Sequence, residues 1–186
     1  MESLAPRYKD LAAADMPGEP TGATLVITDR EDIASAAGSI GAECWYAGPA
    51  TQDEAGLGQE LPRRVGRCTT VVVAWGDGTS GGTPEYGPAM RFARACLALL
   101  QAVRESGRGL HLVTLSRATD VLLSLLDGMA LSAALECPLT HTAVECCDPV
   151  TAERLRAWIA AGVRYPGARL RAEGDRIARL DHAPLP

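Results

Sequence analysis

Residues 69–75 read TTVVVAW, two threonines followed by five apolar side chains. A run without polar alternation is typical of a strand in a parallel sheet that is covered on both faces, because each face then needs apolar side chains. We predict that this strand lies at the centre of a sheet. Helices on either side of it in the sequence are expected to supply the two covering layers.

The chain before this strand has the pattern of a βαβ unit. Residues 24–28 (TLVIT) predict a strand, residues 29–40 carry apolar side chains at helical spacing, and residues 42–47 (AECWYA) predict a second strand. Residues 48–67 have room for no more than one short helix, around residues 60–65. The crossover back to the central strand is therefore predicted to be short.

Strand and helix patterns continue to alternate after the central strand. Asp148 and Pro149 predict the N-cap and the first turn of the last helix. Such alternation requires right-handed crossovers, so the predicted class is α/β, with a mostly parallel sheet in a Rossmann-like three-layer sandwich. The predicted helices cover residues 88–105, 121–135 and 149–161, the strands residues 110–115 and 140–147, and a last strand or small hairpin residues 168–180.

Length and charge exclude several classes of protein. The 186 residues suit one domain, which we place at residues 23–180, between an N-terminal tail (1–22) and a C-terminal tail (181–186). A net charge of −5 without a basic stripe argues against a nucleic-acid partner. No apolar run approaches the ~18 residues of a membrane helix, and the N-terminus lacks a signal-peptide pattern. We therefore predict a cytoplasmic protein with no nucleic-acid and no membrane partner.

The cysteines lack the paired spacing of a zinc site. Their densest group is Cys137, Cys146 and Cys147 with His141, and adjacent strand residues point to opposite faces, so only one of the last two cysteines can face the others. We interpret the cysteines as small apolar core residues and predict no metal site, with a metal ligand or a nucleophile as the open alternative. The six are Cys44, Cys68, Cys96, Cys137, Cys146 and Cys147.

Neither strand-to-helix junction near the centre of the predicted sheet has the pattern of a nucleotide site. The first, residues 28–32 (TDRED), has no glycine and places three carboxylates where a phosphate would bind. Residues 76–81 (GDGTSG) match G-x-G-x-x-G, but six further residues separate them from the next helix. We interpret this second stretch as a surface loop, with a lid or a docking surface as alternatives.

Several apolar segments carry a family resemblance. Residues 109–115 (GLHLVTL), 127–138 (DGMALSAALECP) and 144–148 (VECCD) are similar to successive segments of the structural, non-catalytic subdomain of ketoreductases in modular type I polyketide synthases. Residues 89–103 and 168–180 resemble the Leu-Leu-Gln helix and the closing segment of that subdomain. The resemblance implies a truncated short-chain dehydrogenase/reductase fold that has lost its cofactor site.

In that family the reducing chemistry belongs to a second, following subdomain, which binds NADPH and carries Lys, Ser, Tyr and Asn. This chain has no Asn and one lysine, Lys9, so it lacks that set. The first function we predict is therefore a module without cofactors that scaffolds a catalytic ketoreductase subdomain, or another polyketide synthase domain, in antibiotic-type polyketide biosynthesis. An exposed apolar patch is expected near the N-terminal tail or the closing hairpin.

The alternative is a stand-alone, cofactor-independent enzyme, a cyclase, dehydratase or isomerase, acting on a polyketide intermediate. Ligands of such sheets bind beyond the carboxyl ends of the strands. There Asp77 and Ser116 would carry protons, and Trp75 and Tyr86 would form the apolar walls of a substrate pocket.

Overall fold

The computed structural model describes residues 7–10, 23–46, 54–76, 86–116, 121–146, 149–174 and 176–181. Strands and helices alternate through most of this part of the chain. The strands are β1 (Arg7–Asp10), β2 (Thr24–Thr28), β3 (Glu43–Tyr46), β4 (Thr70–Ala74), β5 (Leu110–Ser116), β6 (Leu139–Cys146), β7 (Arg169–Glu173) and β8 (Arg176–Asp181). The helices are α1 (Glu31–Ser39), α2 (Glu54–Val65), α3 (Tyr86–Ser106), α4 (Val121–Ala133) and α5 (Ala152–Arg164).

The strands form one sheet in the order β1-β8-β7-β6-β5-β4-β2-β3. All pairs from β3 to β7 are parallel, and β8 is antiparallel to both of its neighbours. The central strand predicted from TTVVVAW is β4, which lies between β2 and β5 and is buried at every position. The predicted α/β class with a mostly parallel sheet is confirmed.

Helices cover both faces of the sheet, and β4 contributes alternately to the two cores. On one face, Val71 and Val73 pack in a cluster with residues of α2, α3 and α4, including Leu61, Phe92 and Leu126. On the other face, Val72 and Ala74 pack with residues of α1 and α5, including Ile33, Trp158 and Ile159. The molecule is therefore a Rossmann-like sandwich of three layers.

One helix makes the crossover between β3 and β4. This helix, α2, is longer than predicted and runs through Pro62, although proline removes a backbone donor from a helix interior. Leu61 and Val65, each 1% exposed, hold this part of the helix on the sheet. Apolar burial therefore outweighs the local preference against proline.

Two other elements differ from their predicted positions. The last helix begins at Ala152, and its N-cap is Thr151, whose side chain accepts a hydrogen bond from the Arg154 amide at 3.3 Å. The predicted helix start at Pro149 was wrong, because Pro149 lies outside the helix and the Thr151 hydroxyl caps its first turn; Asp148, the predicted cap, lies outside the described residues. At the other end of the chain, β1 falls inside the segment expected to be a tail and pairs with β8.

None of the described helices combines the length and the apolar character that crossing a bilayer requires.

Candidate functional site

The strand order reverses direction beside β2. From β2 the chain steps to β3 on one side and then, through α2, to β4 on the other side. Such a reversal opens a crevice beyond the carboxyl ends of the two adjacent strands, and open α/β sheets bind ligands there. In this chain the crevice lies beyond Thr28 and Ala74.

In that crevice, a side chain of the protein itself accepts a hydrogen bond from the backbone. Asp29, directly after β2, accepts a hydrogen bond through Oδ1 from the backbone N–H of Gly76 at 2.9 Å. Gly76 has φ of +92°, a conformation that L side chains rarely adopt. A backbone N–H in such a loop is the kind of donor that binds an anionic ligand, and here a carboxylate of the chain takes it.

The first turn of α1 adds further negative charge to the same place. Glu31 and Asp32 lie in that turn, where their charges complement the positive end of the helix dipole. Arg30, whose side chain is 13% exposed, pairs with Asp32 through two hydrogen bonds, one of them 3.1 Å from Nε to Oδ1. Partial burial raises the pKa of Asp32, but the hydrogen bonds and charge of Arg30 outweigh it and the net pKa is lowered. Residues 29–32 thus carry three carboxylates and one guanidinium, a net negative charge that disfavours a phosphate.

Of the four predicted site residues, the structure describes the side chains of two, Trp75 and Ser116. Trp75 is 6% exposed and packs on Phe92, with ring centroids 5.4 Å apart, so its indole belongs to the core below the sheet edge. Ser116 is half-buried at the end of β5. Tyr86 begins α3, and its side chain lies outside the described residues, as does all of Asp77. Their joint role stays a prediction.

A residue that the sequence analysis did not select lies beside Ser116. Glu145 of β6 is in register with Ser116, and side chains in register on parallel strands point to the same face. Glu145 is 8% exposed, which is unusual for a carboxylate. The carboxyl edge therefore holds a hydroxyl and a buried carboxylate next to each other, on the face covered by α4.

A second polar cluster lies deeper on this face, beneath α4. Asp127 of α4 accepts a hydrogen bond through Oδ1 from the Thr114 hydroxyl at 2.6 Å, and the same oxygen lies 3.1 Å from Nε2 of His141. Thr114 and His141 are buried on neighbouring strands β5 and β6. The cluster ties α4 to the two central strands that it covers.

This cluster has the residue types of a nucleophilic triad but not the geometry. In a triad, one ring nitrogen of the histidine takes the proton of the nucleophile while the other is held by the acid. Here Nε2 of His141 faces both Asp127 and, at 3.2 Å, the Thr114 hydroxyl. Because Asp127 accepts from the hydroxyl directly, no relay through the imidazole ring exists.

His111 lies on the opposite face of the sheet. Its Nδ1 contacts the hydroxyl of Thr140, and its Nε2 lies 3.3 Å from the hydroxyl of Thr142, which donates to backbone carbonyls of Gly162 and Tyr165. Thr142 therefore accepts from Nε2, and Nδ1 accepts from Thr140. Burial lowers the pKa of His111, and this neutral imidazole serves as a structural group.

The described members of the cysteine cluster do not converge on a site, and Cys147 lies outside the described residues. Cys146 packs against the α5 side of the sheet, whereas His141 faces α4 and Cys137 packs with the α4 side. Within the described residues, no group of three or more His, Cys, Asp or Glu side chains is placed to hold a metal ion. Burial raises the pKa of Cys96 to about 12, which makes its thiol unreactive.

No protein-family model and no curated protein matches the sequence. Among solved structures, the chain is similar to a C2-type ketoreductase from a modular polyketide synthase, with a TM-score of 0.56 and 20% sequence identity. The similarity covers 92% of this chain and 41% of that ketoreductase chain. At this identity the comparison establishes a ketoreductase-like, Rossmann-like fold. The chain spans about two fifths of the length of its structural neighbour.

Proposed function

We propose that the protein is a non-catalytic structural module that packs against a catalytic ketoreductase subdomain and stabilises it, in polyketide biosynthesis. The hydrogen bond from Gly76 to Asp29 carries this proposal. In this contact a carboxylate of the chain takes a backbone donor at the switch point that could otherwise bind an anionic ligand. The fold of a reductase is thus retained while the usual place of the cofactor is filled by a carboxylate.

Composition and fold support the same conclusion. The chain has no Asn and a single lysine, Lys9, so the residue set of the reductase family cannot be assembled from it. The ketoreductase whose fold it resembles is more than twice as long as the matched region. A separate catalytic subdomain is the partner that this relationship suggests.

Reconstitution tests the proposal. The full chain is added to separately purified catalytic subdomains of modular ketoreductases, and NADPH oxidation with a β-ketoacyl thioester is measured beside the melting temperature of the mixture. We expect the chain alone to be inactive and its addition to raise both the melting temperature and the activity of a catalytic subdomain. Saturable NADPH binding by the chain alone, or no effect on any catalytic subdomain, would overturn the proposal.

A second candidate, the cofactor-independent enzyme, is favoured by one observation, the buried carboxylate of Glu145 in register with Ser116. A carboxyl and a hydroxyl at the carboxyl edge can exchange a proton with a bound substrate. Its test is turnover of β-hydroxyacyl and β-ketoacyl thioesters without NADPH. Loss of turnover in Ser116→Ala, Glu145→Gln and Asp77→Asn would support it, and equal turnover by all three would exclude it.

A further inference from the structure

Helix α4 is predominantly apolar and almost uncharged. Of its thirteen residues, Val121–Ala133, one is charged, and that residue, Asp127, is turned toward the sheet, where it contacts His141 and Thr114. Leu123, Leu126 and Ala130 are completely buried on the same inner side. The charged residue of this helix is thus used inside the molecule, and the outer side, where Ser124 and Ser132 are exposed, carries no charge.

The outer side of α4 nevertheless faces solvent. Leu125 is 51% exposed and Leu131 is 60% exposed, and Leu135, just after the helix, is 88% exposed. Gly128 lies on this side, with no atom within 4 Å of the position of an added Cβ. We call Leu125, Gly128, Leu131 and Leu135 the α4 face.

This arrangement is unusual for a helix of a monomeric protein. A helix that is apolar all round is normally covered all round, and contiguous exposed apolar surface marks an interaction site. The large apolar side chains found to be exposed lie on this face and on α3, where Leu97 is 52% exposed. None of those described lies on the closing hairpin, one of the two places where such a patch was expected; most of the N-terminal tail, the other place, lies outside the described residues. The part of the surface that needs a partner is therefore the helical layer.

The chemistry of the α4 face restricts what can cover it. A partner that brought charged groups here would desolvate them without compensation, because the face offers no opposite charge. An aliphatic, uncharged helix fits, and Gly128 allows close approach of its backbone. A second copy of this chain would bring together two net charges of −5, which opposes self-association.

We propose that the α4 face docks an uncharged helical surface of the catalytic ketoreductase subdomain. This inference rests on the proposed scaffolding function and names its contact surface. The three leucines of the α4 face, which become buried in the complex, would supply most of the binding free energy, since apolar area removed from water is the main favourable contribution.

Charge insertion at the centre of the face tests this inference. Leu131→Glu places a carboxylate in the contact, and Arg156→Gln, at an exposed position of α5 on the other side of the sheet, is the matched control because it changes the net charge by the same amount. We expect Leu131→Glu to weaken the complex at least ~10-fold, since a buried unpaired charge costs more than 1.4 kcal/mol. Arg156→Gln should bind like the wild type. Leu131→Ala, which removes area without adding charge, should weaken binding less.

The outcomes separate the inference from the function on which it rests. Isothermal titration gives the dissociation constant, and circular dichroism confirms that Leu131→Glu is folded. If the wild type and Leu131→Glu bind equally well, the docking surface is wrong but the scaffolding function stands. If no catalytic subdomain binds the wild type, the scaffolding function fails. If the wild type is a dimer by light scattering and Leu131→Glu is a monomer, a second copy covers the face and the inference is overturned.

Discussion

Asp29 is the residue that connects the two loops of the switch point. Its carboxylate accepts a hydrogen bond from the amide of Gly76, which lies 47 positions later in the sequence. This bond holds the residue that follows the end of β4 against the start of the loop after β2. A hydrogen bond to a charged group contributes more than one between neutral groups. The same side chain that removes an anion site therefore also stabilises the sheet edge.

We predict that Asp29→Ala lowers the free energy of unfolding by ~1.5–3 kcal/mol, because the Gly76 amide loses a charged acceptor. Urea unfolding followed by circular dichroism measures the change. Asp32→Ala is the control. Its ion pair with Arg30 lies at the surface and should cost no more than ~1 kcal/mol. Equal losses for the two variants would contradict the role given to Asp29.

His111 makes the stability of the protein depend on pH. Burial lowers its pKa below the ordinary value of 6.5, and nearby His141 lowers it further, whereas the Gly162 carbonyl partly opposes this shift. Below pH 6.5 the unfolded chain binds a proton that the folded chain does not, so the free energy of unfolding falls as the pH falls. Above pH 6.5 this contribution is complete.

The prediction is checked with His111→Gln, whose amide supplies one donor and one acceptor like the neutral imidazole. Urea unfolding between pH 8 and pH 5.5 should show a smaller loss of stability at acid pH for the variant than for the wild type. The same pH dependence in both proteins would mean that His111 does not control it.

Single residues were also the least predictable part of the site. The charge pattern of residues 28–32 was sufficient to infer that a phosphate would be repelled, and the contact of Asp29 with Gly76 is consistent with that reasoning. The cluster of Asp127 and His141 was missed, although one acid in a thirteen-residue apolar helix was a usable signal.

At the scale of the elements, α5 packs closely on the sheet at Gly162. A Cβ added at Gly162 would lie 2.8 Å from Cγ2 and 3.0 Å from Cγ1 of Val113 in β5. Glycine is needed here because the helix backbone approaches the strand too closely for a side chain. This close packing outweighs the low helix propensity of glycine. This close contact sets the distance between the helix layer and the sheet.

We predict that Gly162→Ala destabilises the protein by ~1–3 kcal/mol through overpacking. Gly38→Ala in α1, where no atom lies within 4 Å of the new Cβ, is the matched control and should be stabilising by ~0.5–1 kcal/mol. Thermal unfolding of both variants measures the difference. Adding Val113→Ala to Gly162→Ala should recover part of the loss, and failure to recover would place the strain elsewhere.

Most elements were predictable because their apolar periodicity is local. The strands β2 and β4 and the helices α1, α3 and α4 were predicted within a few residues of their observed bounds. The N-cap of α5 was not, since Asp148, Pro149 and Thr151 are all plausible start signals and the choice depends on where the helix meets the sheet. The length of α2 depended likewise on burial of Leu61 and Val65.

At the scale of the molecule, the sheet has two edges that need protection. β3 forms one, and β1 covers the other by pairing with β8 over four residues. An uncovered strand edge is a template for pairing with another chain. Four residues from the N-terminal segment thus cover the edge of a strand from the other end of the chain.

We predict that removal of residues 1–10 exposes the edge of β8 and produces self-association. Light scattering should increase with protein concentration, and the melting temperature should fall because the β1 hydrogen bonds are lost. Removal of residues 1–6, which retains β1, is the control and should leave both quantities unchanged. Identical behaviour of the two truncated chains would show that β1 does not protect the edge.

The sequence alone determined the fold class, because the alternation of apolar strands and amphipathic helices depends on neighbours within a few positions. It also predicted that the first strand-to-helix junction disfavours a phosphate, because like charges in one turn act locally. The tertiary structure decided which distant groups meet: Asp29 with Gly76, Asp127 with His141, and Gly162 with Val113. It also decided that three of the described exposed leucines lie on α4 or just after it, because exposure of one helix face depends on what the rest of the chain leaves uncovered.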